Sequence, residues 1–184
     1  MPFDQATLEQ VVKRGRRKPL FEPTPDLQRV SIGKSDIERL LPHRDPMLLV
    51  DRISAIDLGA EIMRAHRRID PADPLLRGHF PGYPVYPGAL LVETMGQACL
   101  CLHLLCALGR AEIRADDKPS PLRLLRVHHA LFLAEALPGD DLVLLSKRLF
   151  HDGYTVVCAG QVLRGDTICA VAVMEVYLVE ADGG

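Results

Sequence analysis

ALLVETMGQACLCLHLLCAL, residues 89–108, decides how the rest of the chain is read. Only Glu93, Thr94, Gln97 and His103 are distinctly polar within it and no proline intervenes, so it predicts one helix over Ala89–Leu108. About twenty residues at ~1.5 Å each reach ~30 Å, enough to cross a bilayer, and a membrane span must be weighed against a buried core helix. Glu93 and Gln97 would be costly in lipid. A helix apolar on all sides also suits a position surrounded by a sheet, provided that strands flank it.

They do. Upstream, Met47–Ile56 and Glu61–Ile69 read as two strands around the hairpin-type interruption Asp57-Leu58-Gly59-Ala60. Downstream, Leu122–Ala136, Asp141–Phe150, Tyr154–Leu163 and Thr167–Val179 are separated by Pro138-Gly139-Asp140, His151-Asp152-Gly153 and Gly165-Asp166, the grammar of a four-stranded antiparallel meander. Ser35, three residues before Glu38, has the spacing of a capping box, and a short helix over Asp36–Leu41 should follow, ended by Pro42. The architecture expected is α+β: an antiparallel sheet wrapped around one long central helix.

The chain's 184 residues suit one such core. Lys plus Arg total 22 against 24 Asp plus Glu, a formal charge of −2, which argues against a phosphate-gripping surface and hence against nucleic acid as partner. Five cysteines, odd in number and set among Leu, Val and Ala without a CxxC pair, read as buried thiols. MPFDQATLEQ lacks the order of a signal peptide, so a reducing cytoplasm is expected. Residues 1–30 differ in texture, and the chain divides into an extension over 1–30 and a domain over 31–184. Leu8, Val11 and Val12 suggest a short amphipathic helix; KRGRRK (13–18) and EPTPD (22–26) interrupt it, and the segment reads as a solvated arm.

The chemistry concentrates between the strand sets. Arg77 to Gly88 holds three prolines and three glycines, a rigid loop able to hold His79 against the helix entrance. Glu93 follows on the first or second helical turn, with Gln97 at i+4 on the same face to orient its carboxyl group. One base and one acid thus stand beside the free N–H groups of a helix N-terminus, which can bind a developing oxyanion. If Glu93 is deeply buried, desolvation outweighs the helix dipole's preference for the anion and leaves it a proton to give. His66, His103, His128, His129 and His151 lack the fixed short spacing of a zinc site, and no metal is indicated.

These residues resemble the hot-dog-fold 3-hydroxyacyl-[acyl-carrier-protein] dehydratases of FabZ type. The resemblance runs through Ile37-Glu38-Arg39-Leu40-Leu41-Pro42-His43-Arg44, Pro46 to Asp51, Gly78-His79-Phe80-Pro81-Gly82, Pro87-Gly88, Glu93, Gln97-Ala98 and Pro138-Gly139-Asp140, across about residues 32–178. It implies that His79 takes the α-proton of a 3-hydroxyacyl thioester while Glu93 protonates the departing hydroxyl, giving a trans-2-enoyl thioester. It implies further that the Gly88 N–H polarises the thioester carbonyl, that the Val85 carbonyl orients the imidazole, and that Gln97 supports Glu93. No cofactor is needed. The implied substrate hangs by phosphopantetheine from acyl carrier protein, and the implied active unit is a homodimer in which His and Glu meet across the interface; many relatives assemble three dimers.

A sister group, the dehydratase-isomerases of unsaturated fatty-acid synthesis, places Asp where this chain has Glu93. A non-catalytic hot-dog module binding acyl thioesters is the reading from another class, and retention of both His79 and Glu93 argues against it. The chain departs from the family at Tyr86, Thr94, Gly96 and His128-His129. Gly96 inside a helix costs ~1 kcal/mol relative to Ala and suggests a bulky neighbour close to the backbone. His43 and Arg44 are read as structural, and Tyr83 and Tyr86 as packing. Arg110, Arg114, Arg123 and Arg126 are the expected docking patch for an acidic carrier protein.

Overall fold

The computed structural model describes residues 3–119 and 122–178. Asp4 opens α1 (Gln5–Gly15) by accepting the Thr7 N–H at 2.8 Å. There follow β1 (Gln28–Gly33), α2 (Lys34–Leu40), β2 (Arg52–Asp57), β3 (Ile62–Arg68), α3 (Pro74–Gly78), α4 (Gly88–Leu108), β4 (Leu122–Phe132), β5 (Asp141–His151), β6 (Thr155–Arg164) and β7 (Thr167–Leu178). The seven strands form one antiparallel sheet in the order β1-β2-β3-β5-β6-β7-β4.

That order corrects the four-strand meander. Of those four strands β5, β6 and β7 follow one another, but β5 pairs with β3 and β4 lies beside β7 at the far edge, because α4 carries the chain across the sheet before β4 begins. β4 stops at Phe132 rather than Ala136, where the Leu133 and Ala134 N–H groups both turn to the Cys169 carbonyl. The Ser35 capping box does not form either. β1 runs straight into α2, so Gly33 takes the N-cap position with no side-chain cap.

α4 spends its apolar surface on the inner face of the sheet. Met95, Ala98, Leu102 and Leu105 pack with Ile53, Met63, Ala65 and Leu144 in the main core. Close approach depends on Gly160 of β6, where a Cβ would fall 2.7 Å from the Met95 Cβ. The bulky neighbour expected at Gly96 is absent: the nearest atom to a Cβ there is Met174 Sδ at 3.6 Å, an ordinary contact. Gly109, at φ 64°, supplies the left-handed residue that ends the helix.

The segment before β1 is no solvated arm. Leu8, Leu20 and Phe21 bury themselves against Leu145, Val157, Leu163 and Val173 on the outer face of the sheet. Gln161, fully buried in β6, is the polar centre of this layer. Its Nε2 donates to the Gly15 and Lys18 carbonyls and its Oε1 accepts the Leu20 N–H at 2.8 Å, so all three groups are satisfied where water cannot reach. The KRGRRK cations stay exposed while Leu8 before them and Leu20 and Phe21 after them are buried. With α4 on one face and this layer on the other, β6 is buried from Val156 to Leu163 without alternation.

Candidate active site

Asp73 caps α3 by accepting the Leu75 N–H at 2.9 Å, with Pro74 in the first turn, and the helix delivers His79 at its C-terminal end. The following loop folds back on itself. The Val85 N–H donates to the His79 carbonyl at 2.9 Å, and the Tyr86 N–H ties the loop to the Ala136 carbonyl at 2.8 Å. His79 Nδ1 lies 3.0 Å from the Val85 carbonyl oxygen, which only accepts. Nδ1 is therefore the donor, and the Nε2 lone pair is left free. Gly88, the first residue of α4, lines the same cavity of about 420 Å3 as His79, Val85 and Phe132. Its N–H, in the first turn of the helix, has no intrahelical partner, and Pro87 at the N-cap offers no side-chain cap. A Cβ at Gly88 would come within 2.9 Å of the Phe132 ring, so a side chain there would crowd the cavity.

Glu93 lies one turn further along, in a different cavity of about 170 Å3 whose wall is mainly Val92, Leu100, Leu124, Val156, Met174 and Val176. Gln97 governs its surroundings. The buried amide accepts the Leu49 N–H at 2.8 Å, donates to the Met47 carbonyl at 2.8 Å, and gives its other proton to Glu93 Oε1 at 2.8 Å. One side chain thus fixes both the carboxylate and the stretch before β2, which is why Met47–Val50 is not strand as its composition suggested. The Glu93 side chain is 35% exposed in the single chain, so the deep burial on which its protonation was argued is not complete here. Cys99 and Cys158 also line this cavity, and the neighbouring Cys99 thiol together with burial pushes Cys158 well up, leaving a neutral apolar wall.

His79 and Glu93 therefore line separate cavities of one chain. Leu124, Leu125, Val127 and Phe132 are exposed along the edge strand β4, Leu124 lining the Glu93 cavity and Phe132 the His79 cavity, and Phe80 and Tyr83 are exposed on the His79 loop. Tyr83 donates to Glu135 Oε2 at 2.7 Å at the tip of that loop, whereas Tyr86 is buried beneath it. The expected arginine patch is half spent internally, Arg110 on Asp117 and Arg114 on Glu112, leaving Arg123 and Arg126 exposed. Among the described residues no group of three or more His, Cys, Asp or Glu side chains is placed to hold a metal.

His43 is the site residue that spacing did not reveal. Its Nε2 sits 3.4 Å from Glu93 Oε1, and it lines the Glu93 cavity. Fifty residues separate the two in sequence; the Gln97 bonds to Met47 and Leu49, and the packing of Leu41 and Leu48 in the core around α4, bring them together.

The FabA-like domain family matches residues 41–174. The chain is 31% identical over 145 residues to the 3-hydroxyacyl-[acyl-carrier-protein] dehydratase FabZ of a Nitratiruptor species, covering 79% of this chain and 96% of that protein. It is 33% identical over 156 residues to the protein of the same name from Aeromonas salmonicida, covering 80% and 94%. Among solved structures, the dehydratase heterocomplex ApeI:P from Xenorhabdus doucetiae shares the fold at 18% identity, with a TM-score of 0.60 over 79% of this chain and 91% of that one. A match that runs from the end of α2 almost to the end of β7, with FabZ relatives aligned over nearly their whole length, means that this chain belongs to the FabA-like family.

Proposed function

We propose that this chain is a 3-hydroxyacyl-[acyl-carrier-protein] dehydratase, a hydro-lyase converting the (3R)-3-hydroxyacyl thioester to the trans-2-enoyl thioester in the synthesis of fatty acids or related acyl chains. The observation that carries the reading is a His79 imidazole aimed by the Val85 carbonyl, with a Glu93 carboxyl heading an apolar cavity, in a relative of the FabZ enzymes.

His79 Nε2 takes the α-proton, made acidic by the thioester carbonyl, whose developing charge the Gly88 N–H receives. The C–H electron pair becomes the new C=C bond as the β-carbon releases its hydroxyl. Glu93 supplies the proton that turns this hydroxyl into water, and proton transfer from His79 through that water restores both groups. The acyl chain occupies the apolar cavity beyond Glu93.

Since His79 and Glu93 line separate cavities of one chain, the complete site takes His79 from one copy and Glu93 from a second, apposed through β4 and the His79 loop. The unit is then a homodimer, with or without further assembly into three dimers, working on carrier-protein thioesters in the cytoplasm, with residues 1–30 as an extension to it.

The test is direct. Purified protein is incubated with 3-hydroxyacyl carrier protein and the conjugated enoyl thioester is followed, for wild type, His79→Ala and Glu93→Gln. The reading requires turnover by wild type and its collapse in both variants. Release of free thiol would indicate a thioesterase instead, and a cis-3 product from a ten-carbon substrate a dehydratase-isomerase.

A further inference from the structure

Glu93 carries its side-chain contacts on one oxygen. Gln97 Nε2 donates to Oε1 at 2.8 Å, His43 Nε2 lies 3.4 Å from the same Oε1, and neither contact falls on Oε2. His43 Nδ1 is buried without a hydrogen-bond partner. A proton on Nδ1 would be a buried, unpaired donor, so the favoured tautomer places it on Nε2, facing the carboxylate.

The loop that carries His43 is fixed independently of Glu93. Arg44 donates to the Leu41 carbonyl at 2.9 Å and to the His43 carbonyl at 2.7 Å. Asp45, the nearest carboxylate in sequence, is engaged by Lys34 at 2.6 Å. On the far side, Met47 and Leu49 are held by Gln97. The imidazole is thus presented to Oε1 by a braced segment.

We infer that His43 is a positioning residue for Glu93: together with Gln97 it commits Oε1 to accepting N–H donors and so keeps the transferable proton on Oε2. The assignment rests on the dehydratase reading and adds an atom-level division of labour to it. During the reaction the Oε2–H bond breaks, the proton joins the departing hydroxyl as water, and the electron pair stays on the carboxylate. The two donors on Oε1 strengthen as that negative charge appears, so they stabilise the transition state more than the ground state. The 3.4 Å separation suits a contact that tightens on substrate binding.

The experiment compares His43→Leu, His43→Asn and His43→Gln with wild type on a 3-hydroxyacyl thioester, with thermal melting to establish folding. Loss of a donor to a charged acceptor should lower kcat about 10- to 100-fold in the Leu and Asn variants, with KM little changed. Gln, whose Nε2 reaches where the imidazole Nε2 sits, should recover most of kcat. Should the Leu variant fail to fold, the comparison of Gln with Asn decides alone. Wild-type kcat in His43→Leu, or a fall in His43→Gln as deep as in His43→Asn, overturns the assignment. A wild-type protein that dehydrates nothing defeats the dehydratase reading itself, and His43's role with it.

Discussion

Mixing two dead variants should restore activity if the site is shared between copies. His79→Ala keeps Glu93, and Glu93→Gln keeps His79; each alone lacks one proton-transfer group at both sites of its dimer. In a hybrid dimer one site pairs alanine with glutamine and stays dead, while the other pairs an intact His79 with an intact Glu93. Random exchange of equal amounts makes half the dimers hybrid, each with one working site of two, so about a quarter of wild-type activity should return in a two-fold symmetric dimer. The variants would be unfolded together in denaturant, refolded by dilution, and assayed for enoyl thioester formation beside each variant refolded alone. Had both groups belonged to one chain's site, a hybrid would pair Ala with Glu in one site and His with Gln in the other, and nothing would return. Activity no higher than the mean of the two separate variants, with hybrid formation verified by differential tagging, refutes the shared site inferred from the separate cavities.

Three further outcomes follow from the geometry. Gln161→Leu strips partners from the Gly15 and Lys18 carbonyls and the Leu20 N–H; three bonds at ~1 kcal/mol each should lower Tm by roughly 6–12 °C and open the KRGRRK segment to trypsin. Gly96→Leu projects into the Glu93 cavity beside Met174, so turnover of long acyl substrates should drop while a four-carbon substrate is still used, and an equal drop for both would show that the cavity does not hold the chain. Burial, helped by the Arg148 charge, pushes His103 down to about 4. The unfolded chain therefore binds the extra proton between about pH 6.5 and 4: this contribution to stability is complete above pH 6.5 and is lost as pH falls, by up to ~3 kcal/mol. His103→Asn, whose Oδ1 takes the place of the Nδ1 that faces Arg148, should flatten the fall in Tm over that window.

The central helix and six of the seven strands were legible because each carries its period or its turn residues locally. β1 was not: Gln28–Gly33 follows a proline-rich stretch and is short, so its alternation is confined to Val30-Ser31-Ile32. Nor could local pattern tell that β4 lands beside β7, since strand order is set by where α4 carries the chain. The docking of Leu8, Leu20 and Phe21 on the outer face of the sheet did leave a trace. TVVCAGQVLR and TICAVAVMEVYL lack the polar alternation of strands with a wet face, and that run of apolar residues needed a second cover. At the site, the i+4 spacing of Glu93 and Gln97 could be read along one helix, whereas the contact between His43 and Glu93 joins a loop to a helix, and no periodicity encodes it.

The outer layer formed by the N-terminal residues bears on how the protein is prepared. A gene cut back to the family span, residues 41–174, discards the cover over Leu145, Val157 and Val173 and strands Gln161 without its three partners. Such a truncate would be recovered mainly as precipitate, and an idle preparation of it would speak to a bare greasy surface rather than to the chemistry.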